Sequence, residues 1–359
     1  MYHITREVLD LQIFIDDVTF DAWDLHFVEE FGVFRATEMV LDFFEHNRHP
    51  FLYDTYQLAH FLQVEQKQLL TILGRCDTLY RKVKLPKKNG GVRIISAPLR
   101  DLKQMQKIIL EHFLKKLPVS EHATAYKEGG TIRKNASVHC GKKYLLKLDI
   151  EDFFDCISAE RVYKSAFHTQ YFPQKIGKIL TRLCTKNGYL PQGAPTSPML
   201  SNLVMRPFDM VMGNWCKKHN IGYTRYCDDI TFSADVPLYV AYVKAKSLLE
   251  KMDFCLNEEK TKFIRSSNRQ VVTGLTVNEC IHVTADYKRK LRQEIHFVLK
   301  FGLKDALLHT TPNPFVTEQA VHTERYFQSL MGRIHFVLQI EPENRYFLEA
   351  EQKLKGINH

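Results

Sequence analysis

The 359-residue sequence has no apolar run approaching the roughly 18 residues that a membrane-spanning helix needs, so no transmembrane segment is predicted. Its N-terminus, MYHITREVLD, lacks the charged-then-apolar pattern of a signal peptide, and the expected location is the cytoplasm. No two of its eight cysteines have the C-x2-C spacing of zinc or redox sites, so we expect reduced and mostly buried thiols. Internal repeats and low-complexity tracts are also absent, which excludes solenoid folds.

Basic residues are scarce at the start of the chain and abundant elsewhere. Residues 1–50 contain 11 Asp and Glu against 3 Lys and Arg, a net charge of −8. Because the whole chain carries +9, the rest of it carries +17. Such a surplus predicts a polyanionic partner bound through its phosphates, since these contacts release counterions. A generally basic and solvated surface is the alternative explanation of the charge alone.

Hydrophobic periodicity and turn residues predict many helices and a few short strands. Alternating polar and apolar residues on both sides of Lys-Asn-Gly-Gly predict a hairpin over 79–97, and YTRYCDDITFS predicts another over 223–233. KYLLKLDI (143–150) is typical of a buried strand. The predicted helices are two acidic, aromatic-rich ones in 1–47, others from Thr55 to near Gly74, over 99–117, from Ser158, over 199–219 and after Tyr287. This pattern indicates an α+β fold.

Two pairs of adjacent aspartates have different surroundings. Asp16 and Asp17, in IFIDDVT, lie in the acidic N-terminal block and are interpreted as a solvated turn. Asp228 and Asp229, in RYCDDITFS, lie at the predicted hairpin tip, and Asp149 ends the apolar strand LLKLD. Carboxylates brought together by such strands need a cation, because their charge and desolvation are otherwise costly. Two Mg²⁺ ions about 3.5 to 4 Å apart, as in nucleotidyl transfer, would meet that need.

A series of motifs along the chain resembles the fingers and palm motifs of reverse transcriptases. The motifs are NGGVRIISAP (89–98), KLDIEDFFDCIS (147–158), LPQGAPTSPMLSN (190–202), YTRYCDDITFS (223–233) and LNEEKTKF (256–263). NASVH (135–139) resembles the Asn-Ala-x-x-His signature of retron reverse transcriptases, and VTG (272–274) resembles their Val-Thr-Gly signature. The resemblance runs from about Thr55 to about Glu343 and does not cover 1–50. One departure is Cys227, where alanine is commoner, but another small residue is expected to keep the hairpin shape.

The resemblance implies a right-hand polymerase of fingers, palm and thumb with a helical N-terminal extension. The implied divisions are 1–50 for the acidic extension, 51–145 for the fingers, 146–284 for the palm with a fingers insertion at about 159–190, and 285–359 for a helical thumb. A basic run in the thumb suits a grip on the backbone of a nucleic-acid duplex. Its residues are Lys288, Arg289, Lys290, Arg292, His296 and Lys300, with Tyr287 and Phe297 interleaved.

The same resemblance implies a catalytic set of Asp149, Asp228, Asp229 and Lys260. Two Mg²⁺ ions, or Mn²⁺ as the alternative, would be bound by Asp149, Ile150, Asp228 and Asp229. Lys260 resembles the lysine that approaches the leaving pyrophosphate, where an ammonium neutralises charge or donates a proton. Lys262 is the alternative residue for that role.

Three further residues are implied to contact the incoming nucleotide. Arg93, with Lys87 and Lys88 across the turn, would clamp the triphosphate. Gln192, on the Pro-Gln-Gly turn, would form a hydrogen bond with the sugar and support the base pair. Phe154 would lie beneath the sugar and favour deoxynucleotides over ribonucleotides.

Several of these assignments have structural alternatives. Phe153 and Phe154 are both candidates for the hydrophobic core, and we expect one of them to belong to it. Asn135 and His139 are left out of the catalytic set, because a histidine beside a cysteine is more often structural and the signature can act in RNA docking or palm stability. The VTG strand is expected to be architectural and to support the primer end.

The function implied by the resemblance is that of an RNA-directed DNA polymerase of the retron type from a bacterium. Its partners would be deoxynucleotides, a structured non-coding RNA that serves as template and primer, the RNA-DNA product, and an effector protein in antiphage defence, with higher-order assembly and no membrane. Synthesis would start from an RNA 2′-hydroxyl and yield single-stranded DNA. The alternatives are another prokaryotic reverse transcriptase, of group II intron or non-retron defence type, and a non-catalytic RNA-binding scaffold.

Overall fold

The computed structural model describes residues 52–86, 91–169, 171–310 and 319–356, so the predicted helices of 1–47 lie outside it. The described chain falls into two compact units. One contains 52–128, 150–211 and 248–255, and the other contains 129–149, 212–247 and the described chain from 256 onwards.

Helices and short strands follow one another along the described chain. In chain order they are α1 (Thr55–Phe61), α2 (Gln66–Arg75), β1 (Tyr80–Pro86), β2 (Val92–Pro98), α3 (Arg100–His112), α4 (Ile132–Ser137), β3 (Tyr144–Asp149), α5 (Ala159–Val162), α6 (Gln174–Cys184), α7 (Ser197–Lys218), β4 (Gly222–Tyr226), β5 (Asp229–Ala234), α8 (Tyr239–Glu250), β6 (Lys262–Arg265), β7 (Val271–Val272), β8 (Leu275–Thr276), β9 (His282–Val283), α9 (Ala285–Phe301), α10 (Leu303–Thr310), α11 (Gln319–Ile340) and α12 (Arg345–Lys355). The helices and strands predicted from Thr55 onwards are confirmed, as is the α+β class.

The first unit combines the β1–β2 hairpin with helices that pack around aromatic side chains. The buried ring of Phe113 contacts that of Phe172 with centroids 5.3 Å apart, and Phe172 also contacts Phe167. Asp77, just before β1, accepts two hydrogen bonds from Arg182 of α6, at 3.0 and 2.6 Å. Such a bidentate pair fixes orientation as well as distance. It anchors the base of the hairpin to α6.

The second unit contains a four-stranded antiparallel sheet in the order β4-β5-β3-β6. Apolar residues on alternate positions bury one face, with Leu146 of β3 opposite Phe232 of β5. Phe232 in turn stacks on Tyr223 of β4, with ring centroids 5.1 Å apart. Strand β6 is the outer strand beside β3.

The C-terminal part of the second unit packs a small sheet, β7-β8-β9, with helices from α9 onwards. The core they share includes Val272, Leu275, Leu291, Ile334, Phe347 and Leu354. Glu341 at the end of α11 accepts hydrogen bonds from the Lys288 ammonium at 2.8 Å and from the Val283 backbone N–H at 2.9 Å. One carboxylate thus ties α11 to both α9 and β9.

Two expectations about the class of protein can be compared with this fold. None of the helices on described residues is long and apolar enough to cross a bilayer. All eight cysteines are free thiols, as predicted, but only four are buried: Cys76, Cys184, Cys216 and Cys227. The expectation of mostly buried thiols is therefore wrong for the other four, of which Cys255 and Cys280 are exposed.

Candidate active site

Two of the three predicted aspartates meet where paired strands end. Asp149 is the last residue of β3, Asp229 is the first of β5, and the antiparallel register pairs them directly. Asp228 precedes Asp229 in the turn between β4 and β5. The fold therefore gathers all three carboxylates at one end of the sheet.

The turn that leads to Asp228 has a constrained backbone. Cys227 has φ 62°, in the left-handed region that residues other than glycine seldom adopt, and its side chain is buried. The buried guanidinium of Arg225 donates from Nη1 to the Cys227 carbonyl over 3.1 Å. A small side chain suits this confined turn, and cysteine at 227 keeps the hairpin intact.

Lys260 contacts the first of the carboxylates. Its Nζ lies 2.8 Å from Asp149 Oδ2. The lysine ends a 3₁₀ turn that Asn257 caps, since the Asn257 side chain accepts a hydrogen bond from the Lys260 N–H over 3.2 Å. The Asn257 N–H also donates to the Asp149 carbonyl over 2.9 Å. Asn257 therefore fixes Lys260 to the end of β3.

Asn257 is a site residue that the sequence analysis did not single out. The available signal was an asparagine directly before two glutamates, a composition typical of a helix N-terminus. Lys262, the alternative to Lys260, lies in β6, where its register partner is Lys147. The structure therefore pairs Lys260 with Asp149.

The electrostatics of the site are dominated by crowded negative charge. Burial raises the pKa of Asp229, the neighbouring carboxylates of Asp228 and Asp149 raise it further, and Lys147 and Lys260 oppose the increase. The pKa of Lys260 is raised, first by its hydrogen bond to Asp149, so its ammonium keeps its proton at neutral pH. A cation placed among the three carboxylates would be stabilised.

The donor set suits a hard divalent cation such as Mg²⁺. Its side-chain donors are carboxylate oxygens, and Ile150, the other predicted ligand, follows Asp149 directly and has a buried side chain. Among the described residues, no group of three or more His, Cys, Asp or Glu side chains is already arranged to hold an ion. The residues fit the Mg²⁺ mode in which one or two carboxylates act together with water and substrate phosphates.

His139 bridges the two strands of the carboxylate-bearing hairpin. Its Nδ1 lies 2.8 Å from Ser233 Oγ on β5, and its Nε2 lies 2.7 Å from Thr224 Oγ1 on β4. The ring is fully buried, and burial lowers the pKa of His139 to about 3, so the imidazole is neutral. A neutral imidazole donates from one nitrogen and accepts at the other, which matches two hydroxyl groups. This arrangement makes His139 a brace of the hairpin.

The two retron-like signatures meet in the fold. Thr273 and Gly274 form the two-residue turn between β7 and β8, with φ of 45° and 84°, as a type I′ hairpin requires. Thr273 Oγ1 donates to the Ile132 carbonyl and accepts from Asn135 Nδ2, each over 3.4 Å. The VTG segment is therefore mostly a turn, and the expectation that it is a strand holds for Val272 alone.

In the first unit, the Pro-Gln-Gly loop packs on strand β2. The Ser96 N–H donates to the Gln192 carbonyl over 2.8 Å. Gly193 has φ 116°, and a Cβ added there would lie 2.2 Å from Ile95 Cγ2, so no other residue fits. The loop with Gln192 is thus fixed to the hairpin that carries Arg93, whose side chain is exposed.

The two adjacent phenylalanines have different environments. Phe153 is 3% exposed, and its ring packs 5.8 Å from that of Phe254. Phe154 is half-buried and meets Phe153 edge to face, with centroids 5.4 Å apart. Phe153 is therefore the core residue of the pair, and Phe154 has an accessible ring.

The basic residues on α9 also differ in how far they are exposed to solvent. Lys288 is largely buried against Glu341, as described above, and so belongs to the packing of the helices. The guanidinium of Arg292 lies over the rings of Tyr346 and Phe347, at 5.3 and 5.6 Å from their centroids. The exposed members of the run are Arg289, Lys290, Arg292, His296 and Lys300. Asp16, Asp17, Lys87 and Lys88 lie outside the described residues.

Known proteins resemble this chain in sequence. The family described as "Reverse transcriptase (RNA-dependent DNA polymerase)" matches residues 85–296. The retron Ec83 reverse transcriptase of Escherichia coli is 32% identical over 298 residues, which are 79% of this chain and 89% of that protein. The retron Mx65 reverse transcriptase of Myxococcus xanthus is 33% identical over 76% of this chain, and the chain spans 64% of its length.

A solved structure of telomerase from Candida albicans, in complex with a fragment of telomeric RNA, is also similar. It is 11% identical, with a TM-score of 0.42, over 80% of this chain and 67% of that one. The family match covers more than half of the chain, and the sequence relatives extend it. The chain belongs to the retron-type reverse transcriptases, a family of RNA-directed DNA polymerases with the right-hand polymerase fold.

Proposed function

We propose that this protein copies RNA into DNA at the carboxylate site of β3 and β5. The observation that carries the proposal is the direct pairing of Asp149 with Asp229, with Asp228 beside them and Lys260 bonded to Asp149. Asp149, Asp228 and Asp229, with the Ile150 carbonyl, would hold two Mg²⁺ or Mn²⁺ ions. When bound, such ions lower the pKa of the attacking hydroxyl and neutralise charge on the leaving pyrophosphate.

The chain itself supplies positioning and a proton. Asp149 and Asp229 are held by strand pairing, so their oxygens need little reorganisation when the substrate arrives. The Lys260 ammonium is kept protonated by Asp149 and is fixed by Asn257. It would neutralise the departing pyrophosphate or donate a proton to it.

The nucleotide would be selected by residues of the first unit. Arg93 would clamp the triphosphate as a bidentate cation, and Gln192 would form a hydrogen bond with the sugar from a loop fixed to the same hairpin. The accessible ring of Phe154 would occupy the space that a ribose 2′-hydroxyl needs. We assign 51–145 to the fingers, 146–284 to the palm with an insertion at about 159–190, and 285–359 to the thumb.

Membership of the retron type supports the finer part of the proposal. The template would be a structured non-coding RNA, synthesis would begin from an RNA 2′-hydroxyl, and the product would be single-stranded DNA attached to RNA. The charge of +17 beyond residue 50 suits such a polyanionic partner. We further propose that the protein acts in the bacterial cytoplasm in antiphage defence, together with an effector protein. Sequencing of the nucleic acid that copurifies with the protein tests the RNA, the branch point and the product together.

Replacement of the paired carboxylates tests the catalytic proposal. Asp228→Asn with Asp229→Asn should lower dNTP incorporation on a primed RNA template by roughly 10³-fold or more, because the ligands and the local charge are lost. RNA binding and the thermal midpoint should be retained. The matched control is Asp16→Asn with Asp17→Asn, which removes an identical pair from the N-terminal block and should leave incorporation unchanged. Loss of activity in the control alone would refute the assignment.

A further inference from the structure

One face of the four-stranded sheet carries two lysines beside the carboxylates. Residues two apart on a strand share a face, so Leu145, Lys147 and Asp149 face the same side of β3. On the neighbouring strand β6, Lys262 lies opposite Lys147. The lysine pair is therefore displaced along the sheet from Asp149 by two residues, or about 7 Å.

The two lysines lie directly opposite each other, and Lys147 also interacts electrostatically with the Asp229 carboxylate, whose pKa it lowers. Like charges directly opposite in an antiparallel pair are destabilising. Neither ammonium has an ion-pair partner among the residues that the structure describes. On its other side Lys147 is paired with Thr231, whose buried hydroxyl carries no charge. Lys262 is exposed and Lys147 is half-buried, so an anion from solution can reach the pair.

The neighbours of the pair define what can lie over it. Asp149 and Asp229 flank it on one side along the strands. On the other side, Leu145 and Ile264 pack into the core that contains Val272 of the VTG hairpin. A polymer whose reactive end reaches the carboxylates must place its next units over an adjacent part of the protein. Lys147 and Lys262 are positively charged side chains that lie in this adjacent region, on the same face of the sheet as Asp149.

We propose that Lys147 and Lys262 bind a backbone phosphate of the strand that is extended, close to its 3′ end. This inference rests on the proposed function, because only a polymerase brings that strand to the carboxylates. Two ammonium groups around one phosphodiester would relieve their mutual repulsion and release counterions. The contact would hold the attacking hydroxyl in register and would be independent of base sequence.

The other anion that enters the site is the triphosphate of the incoming nucleotide. Lys260 forms a salt bridge with Asp149, whereas the lysine pair lies two residues further along β3. The two possibilities predict different kinetic effects. A phosphate contact with the extended strand changes the affinity for the duplex, and a triphosphate contact changes the KM for the nucleotide.

Neutral substitutions of each lysine test the proposal. Lys147→Gln and Lys262→Gln should each weaken binding of a short RNA–DNA duplex with a recessed DNA 3′ end by about 5- to 10-fold. Each should lower the slope of log affinity against log salt by about 1. The KM for dNTP at saturating duplex should stay within about 2-fold. Lys178→Gln, at an exposed lysine of α6 in the first unit, is the matched control and should leave the slope unchanged.

Removal of the charge from one phosphate of the DNA at a time identifies the phosphate that the two lysines contact. A series of duplexes, each with one methylphosphonate near the DNA 3′ end, should contain one position that weakens binding to the wild type. The Lys147→Gln with Lys262→Gln variant should be insensitive to that same position. A position-independent effect, or an effect only on the template strand, would overturn the assignment to the extended strand.

Stability measurements separate binding from folding. Either single substitution should leave the thermal midpoint of the free protein unchanged or raise it, because a like-charge repulsion is removed. If Lys147→Gln nevertheless unfolds the protein, Lys262→Gln on the outer strand still tests the contact. Wild-type polymerisation with unchanged salt slopes in both variants would disprove the lysine site. Absence of polymerisation by the wild type would instead disprove the proposed function.

Discussion

At the residue scale, Asp229 combines burial with two neighbouring carboxylates, and both raise its pKa. A carboxyl with a raised pKa in the folded state binds its proton more tightly there than in the unfolded chain. The ionised form therefore reduces the stability of the folded protein at neutral pH, and this effect disappears as the pH falls through the folded pKa. The ionised Asp229 carboxylate therefore destabilises the folded protein in the absence of a cation, and a bound cation would neutralise its charge.

Asp229→Asn should therefore raise the thermal midpoint of the metal-free protein by about 1 to 2 °C at neutral pH. The difference in thermal midpoint between the variant and the wild type should become smaller as the pH is lowered, since the wild-type carboxyl becomes protonated. Addition of Mg²⁺ should stabilise the wild type more than the variant. Scanning calorimetry with chelator and with Mg²⁺ measures these effects, and a lower midpoint for the variant at neutral pH would contradict them.

Phe154 is the second residue whose role is open to a direct test. Phe154→Val should raise the ratio of ribonucleotide to deoxynucleotide incorporation, because valine is smaller than the accessible ring that would block a 2′-hydroxyl. The measurement is kcat/KM for dNTP and rNTP on the same primed template. The matched control is Phe153→Val, which should instead lower the unfolding free energy by about 3 kcal/mol because it leaves a cavity in the core. Unchanged selectivity in Phe154→Val would place the sugar gate elsewhere.

At the scale of elements, the β4–β5 hairpin depends on contacts from outside its own strands. His139, in the turn that follows α4, forms a hydrogen bond with a hydroxyl on each strand, and Arg225 fixes the turn between them. Asn135 on the same helix contacts Thr273 of the VTG turn. Helix α4 therefore connects the hairpin that carries Asp228 with the β7–β8 hairpin.

Thr224→Val should disturb this connection while preserving shape. A buried ring nitrogen of His139 would lose its partner, which should lower the unfolding free energy by about 1 to 3 kcal/mol. We expect kcat to fall with little change in the KM for dNTP, because the hairpin positions carboxylates and does not bind the nucleotide. Thr224→Ser restores the hydroxyl and should restore both stability and kcat, measured by denaturant unfolding and steady-state kinetics. Equal kcat values for Thr224→Val and the wild type would exclude a positioning role.

At the scale of the whole molecule, charge separates residues 1–50 from the rest of the chain, at −8 against +17. The acidic block is also rich in large apolar residues, among them Trp23, Phe27, Phe31, Phe34, Leu41, Phe43 and Phe44. Its two possible destinations are the basic surface of the same chain and a separate partner, such as an effector or a second copy of the chain. We favour the partner, because covering the basic surface would compete with RNA.

Deletion of residues 1–47 tests this assignment. Polymerase activity on a primed RNA template should be retained within about 2-fold, while copurification of the protein partner is lost. The two readouts are measured on the same preparation, with the full-length chain as control. A deletion variant that is insoluble or inactive would show that the block is part of the catalytic fold.

Local sequence was sufficient to predict the elements and the position of Asp149 at the end of a strand. Alternating residues around a Gly-Gly turn specify the β1–β2 hairpin, and an apolar strand that ends in Asp149 is recognisable without its partners. These signals depend on backbone preferences and burial within a few residues, so they can be recognised in the sequence before the fold is known. The resemblance of the ordered motifs to reverse transcriptases was carried by the same short segments.

Only the tertiary structure decided which of two nearby residues of the same type makes a given contact. It paired Lys260 with Asp149 while Lys262 met Lys147, and it buried Phe153 while leaving Phe154 accessible. Strand register between distant segments sets these outcomes, because a shift of one residue turns every side chain to the opposite face. Register is fixed by the packing of the whole sheet, which no short stretch of sequence contains.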